Sequence, residues 1–146
     1  MNINKVFVDA NVIIDMFDKS REGCIISNRI MNYCVDNNIE LYTSCDLVTT
    51  VYYILSKKGK EKALENIKAA SYIFKLIPFR NNQLNKAIYL MENDKNFKDL
   101  EDTIQYVIAK NEGCDLILTN DKDFYSPDIK ALTTEEFIKE FNIKQG

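Results

Sequence analysis

Short β-branched and aliphatic runs alternate along this chain with longer stretches of helical period, and that alternation limits the fold more than any other feature. The short runs are NKVFV (4–8), IELYT (39–43), KLIP (75–78), LILT (116–119) and IKAL (129–132). Each is too short for a stable helix and is rich in strand formers, so each reads as a buried strand. Pro78 marks the end of the third. Residues 11–17 form a short helix after Asp9. Ile25, Ile26, Arg29, Ile30, Tyr33 and Cys34 then follow a helical period as far as Asn37 and Asn38. Ser44 occupies an N-cap position before an apolar helix carrying Leu47, Val48, Val51, Tyr52, Ile54 and Leu55, which closes before Gly59. Ala63, Leu64, Ile67, Ala70 and Ile73 mark another helix. Residues 83–92 and 101–112 are also helical, the latter stopped by Gly113. Thr133 and Glu136 form a capping box that opens a last helix. Strands that alternate with helices predict an α/β fold, a three-layer α/β/α sandwich around a mainly parallel sheet. At 146 residues, one domain spanning 1–146 is expected, long enough to bury a sizeable core without staples.

Composition removes whole classes of chemistry. The chain has no histidine, which excludes a Ser-His-Asp triad, a Cys-His dyad and any histidine-ligated metal. Glycine occurs only at 23, 59, 113 and 146, so neither a dinucleotide fingerprint nor a phosphate loop can be written. Cys24, Cys34, Cys45 and Cys114 contain no C-x-x-C pair, and their apolar surroundings predict buried, reduced thiols. No apolar run approaches a membrane span and no signal pattern opens the chain, so a soluble cytoplasmic protein is expected. Catalysis must then use carboxylates, hydroxyls, amides, lysines or a metal held by oxygen.

Charge is unevenly spread around a formal net value of −3. Residues 57–86 hold eight basic and two acidic residues, whereas residues 99–128 hold eight acidic and two basic ones. Solvated helix faces account for either run taken alone. Together they also fit an acidic cation pocket beside a basic surface for a polyanion, with Lys57, Lys58 and Lys60 as candidate contacts.

In parallel sheets, ligands sit beyond the carboxyl ends of the strands. Asp9 follows the first strand directly, and Asp121 follows LILT after one further residue, Asn120. Asp99 and Asp102 open the helix that precedes LILT. The short connection at Gly113 makes that helix antiparallel to its strand, so its N-terminus returns to the same edge. Four carboxylates from three segments therefore converge, and a divalent cation with oxygen ligands, Mg²⁺ or Mn²⁺, relieves their repulsion. Each acid also has a structural role open to it. Asp9 or Asp15 can cap the first helix, Asp99 can cap the helix at 101–112, and Asp121 and Asp123 can shape a turn. Asp94 and Asp115 read as loop charges.

Three segments then resemble one family. VFVDANVIID (6–15) is similar to the opening of PIN-domain nucleases, DLEDTIQYVIA (99–109) to their acidic helix, and LILTNDKDF (116–124) to their closing Thr-x-Asp-x-x-Phe signature. SCDLVTTVYYIL (44–55) resembles their intervening helix. The resemblance covers nearly the whole chain in order and spacing. It implies a PIN-like fold, metal binding by Asp9, Asp102 and Asp121, and a catalytic contribution from Asp99, which matches an extra acid of one branch. It further implies support of the carboxylates by Asn11 and Thr119, with Asp123 at the periphery. Stand-alone members of this size resemble toxins of toxin–antitoxin pairs, so the resemblance implies a metal-dependent endoribonuclease with an antitoxin partner and a homodimeric state. One departure stands out: Thr50 occupies the position where many members carry a glutamate. That leaves a second expectation open, a catalytically weak RNA-binding or regulatory module. A haloacid-dehalogenase-like phosphatase would need an acid where Asn11 stands, and a receiver domain would need one at the end of KLIPF (75–79); neither is present.

Overall fold

The computed structural model describes residues 2–144. Its centre is a five-stranded sheet in the order β3-β2-β1-β4-β5. The strands are β1 (Lys5–Val8), β2 (Glu40–Ser44), β3 (Lys75–Ile77), β4 (Leu116–Leu118) and β5 (Lys130–Leu132). All four pairings are parallel. Val6, Phe7, Val8 and all of β4 are fully buried, the pattern of strands covered on both faces.

Seven helices cover the sheet: α1 (Ala10–Phe17), α2 (Cys24–Asp36), α3 (Cys45–Leu55), α4 (Lys60–Ile73), α5 (Asn81–Asn93), α6 (Leu100–Glu112) and α7 (Thr134–Glu140). A single 3₁₀ turn, Ser56–Lys58, links α3 to α4. The chain moves outward from β1 through β2 to β3, then crosses back past all three to β4. Right-handed crossovers in opposite directions place their helices on opposite faces. Helix α1 accordingly packs between α2 and α3, α4 packs on α3, α7 closes against α2, and α5 pairs with α6. The result is the expected three-layer α/β/α sandwich.

The elements predicted from the sequence are all present, with bounds shifted by a few residues at most. Two local expectations differ. Ser44 stands at the N-cap of α3 but makes no capping bond; its buried hydroxyl has no partner. The cysteines are not uniformly buried. Cys34 and Cys114 are, and burial pushes both thiols up to about 12, but Cys24 is half-buried and Cys45, the first residue of α3, is exposed. Among the described residues, no helix is long and apolar enough to cross a membrane.

Two features fix the central strand pair. At its start, Asp115 Oδ2 accepts hydrogen bonds from the amides of Asn4 and Lys5 at 2.8 and 3.0 Å. At its end, the Asp9 amide donates to the Leu118 carbonyl at 3.0 Å. Helix α6, which feeds β4, is buried continuously from Thr103 to Ala109 and ends at Gly113 with φ +76°.

This left-handed position generates a stability prediction. A Cβ added at Gly113 meets no heavy atom within 4 Å, so Gly113→Ala should cost backbone strain alone, about 1–2 kcal/mol. Urea unfolding should show a lower midpoint with an unchanged m value. An unaltered midpoint would contradict the strain argument.

Candidate active site

The strand order reverses between β1 and β4, because β1 leads away to β2 while β4 leads to β5 on the other side. A crevice opens at the carboxyl ends of such a strand pair. Asp9 leaves β1 into this crevice and caps α1, with its Oδ1 accepting from the Ala10 amide at 2.6 Å. Its other oxygen, Oδ2, accepts from the Thr119 hydroxyl at 2.9 Å. The same hydroxyl oxygen accepts from the Asp121 amide at 3.1 Å. Thr119 thus ties the turn after β4 to the acid after β1, as expected of it. Asp121 in turn accepts from the Asp123 amide at 2.9 Å.

Helix α6 brings the remaining acids. Asp99 is its N-cap and accepts from the Asp102 amide at 2.9 Å, so the capping role open to it is realised. Asp102 follows in the first turn, where the helix dipole favours negative charge. The four acids form a graded set: Asp9 is buried, Asp102 half-buried, and Asp99 and Asp121 exposed at the rim. A groove of about 640 Å³ runs past Asp99, Asp102, Asp121 and Asp123, with Phe97 and Tyr125 in its wall.

The electrostatics record how closely these groups crowd. Burial raises the Asp9 carboxyl above its ordinary value, against the hydrogen bonds from Thr119, Ala10 and Gln105, and Asp121 adds repulsion. Asp102 is pushed up to about 7, first by burial and then by the charges of Asp99 and Asp121, and it lies close enough to Asp121 to share a proton. Among the described residues, no three acidic groups close into a ready-made cation cage. The donors themselves suit a hard cation. They are all carboxylate oxygen from three segments, with no sulfur or imidazole among them, which matches the preference of Mg²⁺ or Mn²⁺.

Other residues fall differently from the sequence expectation. Asn11 is exposed on the first turn of α1, and Thr119 and Ala10 hold Asp9 in its place. Lys57, Lys58 and Lys60 lie beyond the last turn of α3. Lys58 is bound to both carboxylate oxygens of Asp18 at 3.0 and 3.1 Å, which occupies its charge. Asp18 sits one residue past α1, and the eight residues of α1 put it roughly 12 Å of helix from Asp9. Asp15 pairs with Arg21 at 2.6 Å and takes no part in the site. Thr50 is exposed. An acid does stand on the same face of α3 one turn earlier: Asp46, whose Oδ1 is buried without a partner.

Three contributors were missed in the sequence. Gln105 is only 2% exposed, its Oε1 has no partner among the described residues, and it is one of the groups that favour the ionised Asp9 carboxyl. Its signal was present, since it lies three residues after Asp102 and so on the same helical face. Glu101 is raised by burial and by the charges of Asp9, Asp99 and Asp46. It shows that the acidic surface continues from α6 towards α3, where Asp46 stands.

Comparison with known proteins places the arrangement. The PIN domain model of the PIN_3 family matches residues 5–123. The chain belongs to the PIN-domain family. Ribonuclease VapC1 of Aquifex aeolicus (strain VF5) is 58% identical over 142 residues, which cover 97% of this chain and 99% of that protein. The fold is shared with VapBC2 of Rickettsia felis, solved bound to a promoter DNA fragment, at a TM-score of 0.69 and 16% identity, covering 88% of this chain and 98% of that one. It is also shared with VapC20 of Mycobacterium tuberculosis, a Sarcin-Ricin loop cleaving toxin, at a TM-score of 0.67 and 14% identity, covering 82% and 92% respectively. In this PIN domain the crevice between β1 and β4 is where the three sequence signatures meet.

The crowding at Asp102 sets a pH dependence. In the unfolded chain an aspartate releases its proton near pH 4, whereas in the fold Asp102 keeps it up to about pH 7. Between these values the folded state binds the extra proton, so the contribution of Asp102 to stability is present at low pH and lost as pH rises through this window. In EDTA, the Tm advantage of Asp102→Asn over the wild type should widen from pH 4 to pH 7 and stay constant above. Thermal melts across that range check it, and a constant difference would mean that Asp102 is not crowded.

Proposed function

We propose that this protein is a divalent-metal-dependent endoribonuclease that hydrolyses RNA phosphodiester bonds, and that it serves as the toxin of a toxin–antitoxin pair. The observation that carries the reading is end-to-end similarity to a protein named as a ribonuclease, at 58% identity, joined to a carboxylate crevice at the switch point of the sheet. An antitoxin partner follows by analogy with the toxin–antitoxin complexes that share the fold. Homodimerisation is part of the same analogy. The non-cleaving reading rested on Thr50 alone, and the named relative favours the enzyme.

Asp9, Asp102 and Asp121 would hold Mg²⁺ or Mn²⁺. When bound, the cation supplies Lewis acidity for a phosphate oxygen and lowers the pKa of a coordinated water. The remaining work belongs to the chain. The buried Asp9 is aimed from two sides, by the Ala10 amide and the Thr119 hydroxyl, which fix both oxygens before substrate arrives. Asp102 or Asp99, at the start of α6 beside the groove, is the acid placed to accept a proton from an attacking water. Asp99 adds negative charge at the rim while capping α6. Histidine is absent, so no imidazole activates a side-chain nucleophile, and the thiols of Cys34 and Cys114 are pushed up to about 12. Water is therefore the expected nucleophile, and an open groove suits a flexible single strand better than a duplex.

Asp9→Asn should lower cleavage of a single-stranded RNA by at least about 10²-fold, on the scale of losing a principal electrostatic group. The fold should be retained, because the change removes a buried charge that burial disfavours. Gel-resolved cleavage with added Mg²⁺ or Mn²⁺, with EDTA as a control and circular dichroism for the fold, provides the check. Cleavage that survives both EDTA and Asp9→Asn would sink the mechanism.

A further inference from the structure

The groove beside the carboxylates carries two cations that nothing above uses. Lys98 and Lys122 both line it, both are exposed, and neither is in an ion pair among the described residues. Each is the chain neighbour of a site acid. Lys98 immediately precedes Asp99, the N-cap of α6, and Lys122 immediately follows Asp121 in the turn after β4. The hydrogen bonds that fix Asp99 and Asp121 therefore also fix the backbone from which the two lysines rise. Lys98 belongs to the segment before α6 and Lys122 to the turn after β4, so the two lysines come to the groove from different segments. From another element, Glu136 feels the charge of Lys122 but is held by the capping box of α7.

A groove lined by Asp99, Asp102, Asp121 and Asp123 repels a polyanion. Lys98 and Lys122 reduce its formal charge from −4 to −2, and one divalent cation would bring it to zero. The lysines foreseen from the sequence fit this task less well, since Lys58 is already engaged by Asp18 and the group lies beyond the far end of α3. The wall of the groove also includes the half-buried Tyr125, packed edge to face at 4.8 Å on the buried Phe97. Resting on the ribonuclease reading, we infer that Lys98 and Lys122 bind the phosphates on either side of the scissile one, so that single-stranded RNA runs along this groove with its reacting phosphate over Asp102 and Asp121.

Counterion release gives a quantitative test. Each phosphate contact to a single strand contributes about −0.7 to the slope of log K against log salt. Binding of a labelled single-stranded RNA is measured by fluorescence anisotropy across a KCl series in Ca²⁺, with the RNA checked for intactness on a denaturing gel. Lys98→Gln and Lys122→Gln should each flatten the slope by about 0.7 and weaken binding about fivefold at 0.1 M salt, and the double variant should flatten it by about 1.4. Lys110→Gln makes the same charge change at the opposite end of α6 and should leave the slope unaltered. Melting temperatures confirm that all variants fold. If the wild type binds and cleaves RNA while the Lys98 and Lys122 variants keep its slope, or match Lys110→Gln, the inference falls and the activity stands. If the wild type neither binds nor cleaves RNA, both fall.

Discussion

The parallel pairing of β1 with β4 is the constraint on which the rest depends. It places Val8 opposite Leu118 and lets the Asp9 amide continue the ladder onto the Leu118 carbonyl. From that register the next residues on each strand have no freedom to separate. Asp9 must turn into α1 at the point where Thr119 and Asp121 leave β4, and one hydroxyl then spans the gap between them. Because strand order reverses at this pair, the outgoing chains diverge and leave an opening. In a sheet with β1 and β4 apart, the same residues would form two unrelated caps.

The site is built against an electrostatic cost. Bringing acids from three segments to one edge raises Asp9 and Asp102 above ordinary carboxyl values. The fold offsets part of that cost locally. The Ala10 amide and Thr119 hydroxyl favour ionised Asp9, and the first turn of α6 favours negative charge near Asp102. A hard divalent ion, in the proposed function, would stabilise the one charge state that this arrangement opposes. Stability and function therefore pull in opposite directions at Asp102, a common relation at sites made of like charges.

Much of the fold was legible because local and tertiary signals agree. LILT and NKVFV are apolar on both sides, as a doubly covered strand must be, and Gly113 announced the end of α6 through the conformation that it adopts. Asp9, Asp102 and Asp121 were legible as a group because a parallel sheet sends its strand ends to one edge and the helix before β4, running antiparallel to it, starts at that edge. Other residues were not legible because their roles depend on neighbours distant in sequence. Lys58 looked free until Asp18 came across from the end of α1. Asn11 looked like a support for Asp9, but the helix turns it to solvent while Thr119, 110 residues away in the chain, takes the role. Ser44 has the right residue type for a cap and makes no capping bond. Gln105 was hidden within an apolar-looking helix, and only its burial beside Asp9 gives it meaning.

The sequence by itself determined the alternation of strands and helices, the exclusion of histidine chemistry, and the acids that follow β1, open α6 and follow β4. These are properties of residue type and spacing, and any chain that folds with this periodicity inherits them. Tertiary structure decided which strands are neighbours, which hydroxyl and amides aim Asp9, and which lysines remain unpaired beside the carboxylates. These are matters of long-range contact, and chain spacing cannot specify them, because one side chain has the same local signal whether it meets solvent, an opposite charge or a buried acid.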